Sequence, residues 1–257
     1  MMSGAILSVK DLTKSYYGVT AIDNVTFNLP SGEITGLIGP NGSGKSTLFD
    51  CLSGMSEADS GAVSLNGEQI LGKKPEAIAQ RKLIRTFQNI TIFPDLTLID
   101  NMRVVAQAHS GFGFLREISG GSSIRKHEAE ATTLAKHLLE EIELFELRQR
   151  KAGEMSYGQQ KLLVMGMAMM AHPRIVLFDE PVAGVNPTLI EKMKSHIVRW
   201  HSAGVDFFIV EHNLRLIMDL CSSVLMLDRG RILTKGSPEE IVNDPRVIEA
   251  YLGGEPV

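Results

Sequence analysis

Two hydrophobic patterns share this chain. Short runs at residues 34–38 and 175–178 are apolar but for Thr35, and a third at 205–211 ends at His212. Such runs predict strands buried on both faces, as in a parallel sheet. Elsewhere apolar residues recur at three-and-four spacing. Residues 124–143 put Ala131, Leu134, Ala135, Leu138, Leu139 and Ile142 on one face, which predicts an amphipathic helix. Core packing is enough to explain that stripe. Residues 156–171 predict another helix, stopped by His172-Pro173, whose methionines Met165, Met167, Met169 and Met170 fill core gaps. Thioethers alone do not suit magnesium, so no metal site is expected there. Residues 6–30 read as short strands with turn residues, and 61–70 continue them, Asn66-Gly67 being a strong turn signal. Near the end, Ser237-Pro238-Glu239-Glu240 is a capping box with proline at the first helical position; Asp244-Pro245 repeats the cap and proline, and Gly253-Gly254 should end the last helix.

Composition narrows the class. The chain has 257 residues, 44% hydrophobic and 22% charged, which suits one large domain or a domain with a lobe. No apolar run approaches the roughly 20 residues that cross a bilayer, and the first residues lack the layout of a secretory signal. Cys51 and Cys221 lie in apolar helical contexts and read as core thiols, so a reduced, cytosolic setting is expected. A net charge of -4 argues against broad nucleic-acid binding. There is no internal repeat. The glycine- and serine-rich residues 110–123 read as a flexible insertion; Phe112, Phe114 and Leu115 either touch a membrane partner or tuck onto their own lobe.

The first strand runs into Gly39-Pro40-Asn41-Gly42-Ser43-Gly44-Lys45-Ser46, which satisfies the G-x-x-x-x-G-K-[ST] phosphate loop. Glycines admit backbone angles that turn successive N–H groups inward around phosphate oxygens. The helix that follows, from about Lys45, presents unpaired N–H groups and the positive end of its dipole to the same anion. Lys45 is expected to reach the β- and γ-phosphates, Ser46 to ligate magnesium and Thr47 to bond the α-phosphate. The bland alternative is a glycine-rich strand-to-helix turn. A strand before and a helix after are the context that the nucleotide reading requires.

A phosphate loop needs an acid for magnesium at the end of a neighbouring strand. Asp179 ends the 175–178 run and Glu180 follows. Neighbouring strand residues point to opposite faces, so Asp179 can face the metal while Glu180 faces the space beyond the γ-phosphate, where a carboxylate accepts a proton from water. A solvated acidic turn is the alternative. His212, at the end of the third run, is open between a structural histidine and a neutral imidazole bonding the γ-phosphate or the attacking water.

These motifs, in this order, resemble the ATP-binding cassette (ABC) ATPases over nearly the whole chain. That likeness implies an α/β P-loop NTPase: a RecA-like core with a mostly parallel sheet, an antiparallel β subdomain and an inserted α-helical subdomain at about 89–160, with C-terminal helices at about 237–257. It implies ATP and Mg2+ as ligands. Tyr17 in "KSYYGVTAID" matches the aromatic that stacks on adenine. Gln88 in "RTFQN" matches the glutamine that links the magnesium site to the membrane partner. His212 matches the switch histidine, and Glu180 the catalytic glutamate. "MSYGQQ" matches the signature, so Ser156, Gly158 and Gln159 would cap ATP held by the partner subunit. "AGVN" matches the loop after the catalytic glutamate. Two departures stand out: Tyr157 replaces the first glycine of the common S-G-G-Q signature, and Asn186 replaces an aspartate. Both variants, with the tail "DPRVIEAYLGG", resemble the branched-chain amino acid importer ATPases. The implied machine is a dimer over two ATP, with like or unlike chains, driving separate membrane permease subunits at the cytoplasmic face of the inner membrane and served indirectly by an extracellular or periplasmic solute-binding protein. Urea or short amides are alternative solutes. A soluble ABC ATPase acting on nucleic acid and a P-loop kinase are the rival classes.

Overall fold

The computed structural model describes residues 5–86, 92–109 and 121–252. The chain divides into two compact units. The first contains residues 1–85, 174–180 and 198–257, the second 86–173 and 181–197.

The first unit carries two sheets. Strands β1 (Ala5–Tyr16) and β2 (Val19–Pro30) form an antiparallel hairpin, and β4 (Ser60–Leu65) and β5 (Glu68–Gln69) extend it in the order β2-β1-β4-β5. The short strands expected at 6–30 are thus two strands of 12 residues each. Register shifts between Val9 and Leu12 and between Leu12 and Lys14 interrupt the alternation that would have signalled long strands in the sequence. Both hairpins turn on residues at positive φ: Tyr17 (49°) with Gly18 (85°), and Asn66 (49°) with Gly67 (80°). That geometry matches the right-handed twist of the flanking strands.

The second sheet has the order β10-β9-β3-β8-β7-β6. Its strands are β3 (Ile34–Ile38), β6 (Leu83–Arg85), β7 (Ile175–Asp179), β8 (Asp206–Val210), β9 (Ser223–Asp228) and β10 (Arg231–Gly236). All neighbours pair in parallel except β9 with β10. Every residue of β3, β7 and β8 is buried, which is why those strands read as mostly apolar runs. Helix α1 (Lys45–Leu52) fixes the loop after β3 through one shared core. Its Leu48, Phe49 and Leu52 pack with Ile22, Val25 and Phe27 of the hairpin and with Leu37, Phe208 and Leu225 of the parallel sheet. Phe208 lies 5.2 Å from Phe49 and 5.7 Å from Phe27, ring centre to ring centre. Burying that apolar surface, at about 25 cal/mol per Å2, holds the loop in place. The unit also contains α2 (Pro75–Gln80) and, towards the end of the chain, α7 (Leu214–Leu220), α8 (Pro238–Val242) and α9 (Pro245–Leu252). Cys51 and Cys221 are both buried free thiols, and burial raises their pKa values to about 11 and about 12.

The second unit is helical. It contains α3 (Leu98–His109), α4 (Gly121–Glu141), α5 (Tyr157–Met169) and most of α6 (Pro187–Ser202). Ala135, Leu138, Leu139 and Ile142 of the predicted stripe are buried, as are all four methionines named above. Asn101, wholly buried, stitches the loop ahead of α3: its amide donates to the Phe93 and Thr97 carbonyls and its oxygen accepts from Phe93 N–H. Phe112, Phe114 and Leu115 lie outside the described residues, as do Gln88 and Gly253-Gly254.

Candidate nucleotide site

Parallel strands deliver their C-terminal ends to one edge of the sheet, where ligands collect in open α/β folds. Here β3 ends in the glycine-rich loop, β7 in Asp179 and β8 in Glu211-His212. The strand β6 ends at the same edge in Arg85.

The loop leaves β3 through Gly39 at φ 152°. A Cβ there would stand 2.0 Å from the Leu227 carbonyl oxygen, so only glycine threads the gap. Gly44, at φ 107°, is the residue before α1; a Cβ on it would meet the Ala21 carbonyl at 2.4 Å. From outside, the β9–β10 turn braces the loop, Gly230 N–H donating to the Ser43 carbonyl at 2.9 Å. Lys45 is buried, and its Nζ donates to the carbonyls of Gly39 (2.7 Å) and Pro40 (2.9 Å). Burial pushes the pKa of its ammonium down; Glu180 and Asp179 oppose that. Ser46 is exposed in the first turn of α1 and Thr47 is half-buried. Ser43 Oγ is buried and has no hydrogen-bond partner among the described residues.

The acid strand departs from simple alternation. β7 stops at Asp179, and Glu180 turns out of the strand at φ 49°, its N–H donating to the Val210 carbonyl at 3.0 Å. A non-glycine residue at positive φ costs about 1–3 kcal/mol and persists only where its surroundings fix it. The direction of the Glu180 side chain therefore comes from this turn and not from the pleat. Its Oε1 sits 3.0 Å from His212 Nε2. His212 itself follows Glu211, whose carboxylate accepts from the N–H groups of His212 and Asn213.

Asp179 has a partner that sequence reasoning did not single out. Arg85 Nη2 bonds Asp179 Oδ2 at 3.2 Å while its Nη1 bonds Asp50 Oδ1 of α1 and Ser53 Oγ. The Arg85 and Asp179 side chains are each 7% exposed. Burial raises the Asp179 pKa, and Arg85 is the main opposing influence. In the sequence Arg85 is only the first letter of "RTFQN"; the signal for it is a charged residue at the end of a buried strand.

Tyr17 stands at the tip of the β1–β2 hairpin, fully exposed. In the helical unit, Ser156 caps α5 within a reciprocal box: Gln159 N–H donates to Ser156 Oγ at 3.3 Å, and Ser156 N–H donates to Gln159 Oε1 at 3.0 Å. Gly158 faces Leu189, whose Cδ2 would lie 2.3 Å from an added Cβ. Both departures from the family pattern have local reasons. The Tyr157 ring lies against Gly184, where a Cβ would come within 3.3 Å of Cε1. Asn186 caps α6, accepting from Leu189 N–H at 2.9 Å.

Phosphate loop, sheet order and acid strand together define a P-loop nucleoside triphosphatase. Comparison with known proteins narrows this. Residues 22–183 match the ABC transporter family, and residues 231–257 match the branched-chain amino acid ATP-binding cassette transporter family. The branched-chain amino acid transport ATP-binding protein BraF of Pseudomonas aeruginosa is 37% identical, over 98% of this chain and 99% of its own. LivG of Escherichia coli, named for the same transport, is 34% identical over 98% and 99%. Among solved structures, a nucleotide-free ATP-binding cassette from an ABC transporter superposes with a TM-score of 0.86 at 32% identity, covering 98% of this chain and 100% of that one. Another cassette, in its ADP conformation, gives 0.82 at 30% identity, with 98% and 100% coverage. The chain belongs to the ABC transporter family as an ATP-binding, ATP-hydrolysing subunit.

Proposed function

We propose that this chain hydrolyses ATP as one half of a dimer and thereby drives separate membrane permease subunits that import branched-chain amino acids. The solute follows from the names of its relatives and from the tail match at 231–257. Among the described residues no helix is long and apolar enough to cross a membrane, which fits a subunit that docks on permease subunits at the cytoplasmic face of the inner membrane. In this reading the solute is captured by a binding protein on the other side.

The adenine would stack on Tyr17, and the loop 39–47 with Lys45 would hold the phosphates. The donor set fits magnesium: the Ser46 hydroxyl and the Asp179 carboxylate are hard oxygens, and Gln88 is assigned to the same ion by resemblance. Once bound, magnesium would neutralise charge on the phosphates. Water attacks the γ-phosphorus, the bridging P–O bond to the β-phosphate breaks, and Glu180 accepts the water proton. His212 holds the Glu180 carboxylate through the 3.0 Å contact. That contact is the observation that supports the reading: Glu180 and His212 meet at the sheet edge where β3 runs into the loop 39–46. Ser156, Gly158 and Gln159 would cap ATP held by the second ATP-binding subunit, so each centre draws on both chains. Because Ser156 and Gln159 already bond each other, the cap presents a preorganised helix start and not loose side chains.

The test is Glu180→Gln. It should bind ATP, lose about 100-fold or more of its phosphate release, and accumulate as dimers at saturating ATP. Undiminished turnover would remove Glu180 from the chemistry, and a variant that stays monomeric would remove the dimer.

A further inference from the structure

The last helix reaches the phosphate loop. Gly39 N–H donates to Tyr251 Oη at 3.1 Å, while the Gly39 carbonyl accepts from Lys45 Nζ at 2.7 Å. Both polar groups of the residue from which the loop springs are thereby tied, one to α9 and one to the lysine assigned to phosphate. Beyond Gly39, the loop and α9 face each other across a cavity of about 440 Å3, with Asn41 and Ser43 on one side and Arg246, Glu249 and Ala250 on the other. The helix is itself well anchored. Pro245 opens it, Asp244 Oδ1 accepts from Arg246 N–H at 2.9 Å, and Val247 is buried. Burial raises the Tyr251 pKa, with the Gly39 bond opposing, so the phenol stays a neutral hydroxyl at physiological pH.

We propose that Tyr251 is a positioning residue for nucleotide binding: its hydroxyl fixes the Gly39 peptide and so preorganises the phosphate loop, linking the tail to nucleotide affinity. Gly39 is where this matters. At φ 152° and hard against the Leu227 carbonyl, it has the backbone freedom of glycine on one side and a wall on the other. Losing the hydroxyl frees the Gly39 N–H, so the backbone can turn about Gly39 and shift the Gly39 and Pro40 carbonyls that orient Lys45. Part of the binding energy is then spent on ordering the loop. The proposal gives a role to the 231–257 segment, which contains Tyr251. It rests on the reading that the loop holds the phosphates of ATP.

Tyr251→Phe removes the hydroxyl and keeps the ring. An ordinary hydrogen bond corresponds to a change in affinity of at least twofold and up to about tenfold. The ADP dissociation constant, measured by calorimetry, should rise by that factor; KM for ATP should rise with it while kcat holds. The Gly39 amide resonance should shift in the nucleotide-free protein. An ADP affinity changed by less than twofold, or tighter, overturns the proposal. A tyrosine with a purely structural role would lower the thermal midpoint and leave affinity alone, which also overturns it. Lys45→Ala, run in parallel, separates the layers. If that variant keeps its ADP affinity, the phosphates do not sit on the loop that Lys45 closes, and this proposal fails with that reading. If it loses affinity while Tyr251→Phe does not, only the role of Tyr251 fails.

Discussion

Arg85 offers the sharpest test of how the site is held together. Replacing it with methionine keeps most of the aliphatic volume and deletes the guanidinium. Asp179 then remains a buried carboxylate without its cation. Breaking such a pair from one side costs about 3–5 kcal/mol. The second arm, to Asp50, adds little, because that carboxylate is 36% exposed and a solvated pair contributes about 0–1 kcal/mol. About 3 kcal/mol is the expected total. At about 2–4 °C per kcal/mol for a chain of this size, the thermal midpoint should drop by about 6–12 °C. Trp200, the one tryptophan in the chain, is buried in the same unit and reports its melting by fluorescence. The measurement is made without nucleotide and with a metal chelator, so that no added cation substitutes for Arg85. Arg85→Lys should recover only part of the loss, since one ammonium cannot fork between two carboxylates. Arg85→Met combined with Asp179→Asn removes the stranded charge and should regain at least half of the drop. A single variant that melts within 2 °C of the parent, by the roughly 3 kcal/mol reasoning above, refutes the clamp. So does a double variant no more stable than the single.

Other expectations are simpler. Gly39→Ala places a methyl 2.0 Å from the Leu227 backbone carbonyl, which cannot swing aside, so ADP binding should be lost and the Trp200 melt should move down; retained binding would show that the loop has slack. Ser156→Ala removes the cap of α5 at a cost of about 1 kcal/mol, and hydrogen exchange should quicken about fivefold at the first amides of that helix. Asp244 should titrate at about 2, because Arg246 donates to it through both side chain and backbone, and Arg246→Ala should return it towards 3.8. Its folded pKa is depressed, so its contribution is present above the unfolded value and lost as pH falls from 3.8 to about 2; α9 should loosen in that window, which carbon NMR of the carboxyl can follow.

Legibility in the sequence tracked how local each cause was. The loop 39–46, the strand into Asp179 and the cap at Ser237 are written in consecutive residues, and glycine, proline and capping chemistry act over three or four positions. The β hairpin was harder to read because its bulges break the period of two on which strand reading depends. The turn at Glu180 was hidden for a different reason. Nothing in "FDEP" requires a positive φ; it arises where the Glu180 N–H reaches the Val210 carbonyl of the next strand, a contact set by sheet register. Arg85 and Tyr251 were missed on the same account. Arg85 meets Asp50 and Asp179 across 35 and 94 residues, and Tyr251 meets Gly39 across 212. Tyr157 and Asn186 look like defects against a family pattern, yet one lies on Gly184 and the other caps α6.

The charged groups assigned to magnesium and ATP also have partners inside the protein. Lys45 donates to two loop carbonyls, Asp179 faces Arg85, and Glu180 faces His212. Such pairing solves a folding problem: Lys45, Arg85 and Asp179 bring buried charge to one edge of a sheet, and a buried charge left stranded costs several kcal/mol. It also shapes binding. A ligand arriving at this edge exchanges contacts more than it adds them, so affinity should fall well short of the sum of its hydrogen bonds. A free cation would have to share Asp179 with Arg85, whereas a cation accompanied by a polyphosphate brings acceptors for Lys45 and for the loop N–H groups at the same time. The site should therefore favour the metal–nucleotide pair over either alone. This preference comes from Arg85 and from the loop carbonyls that hold Lys45.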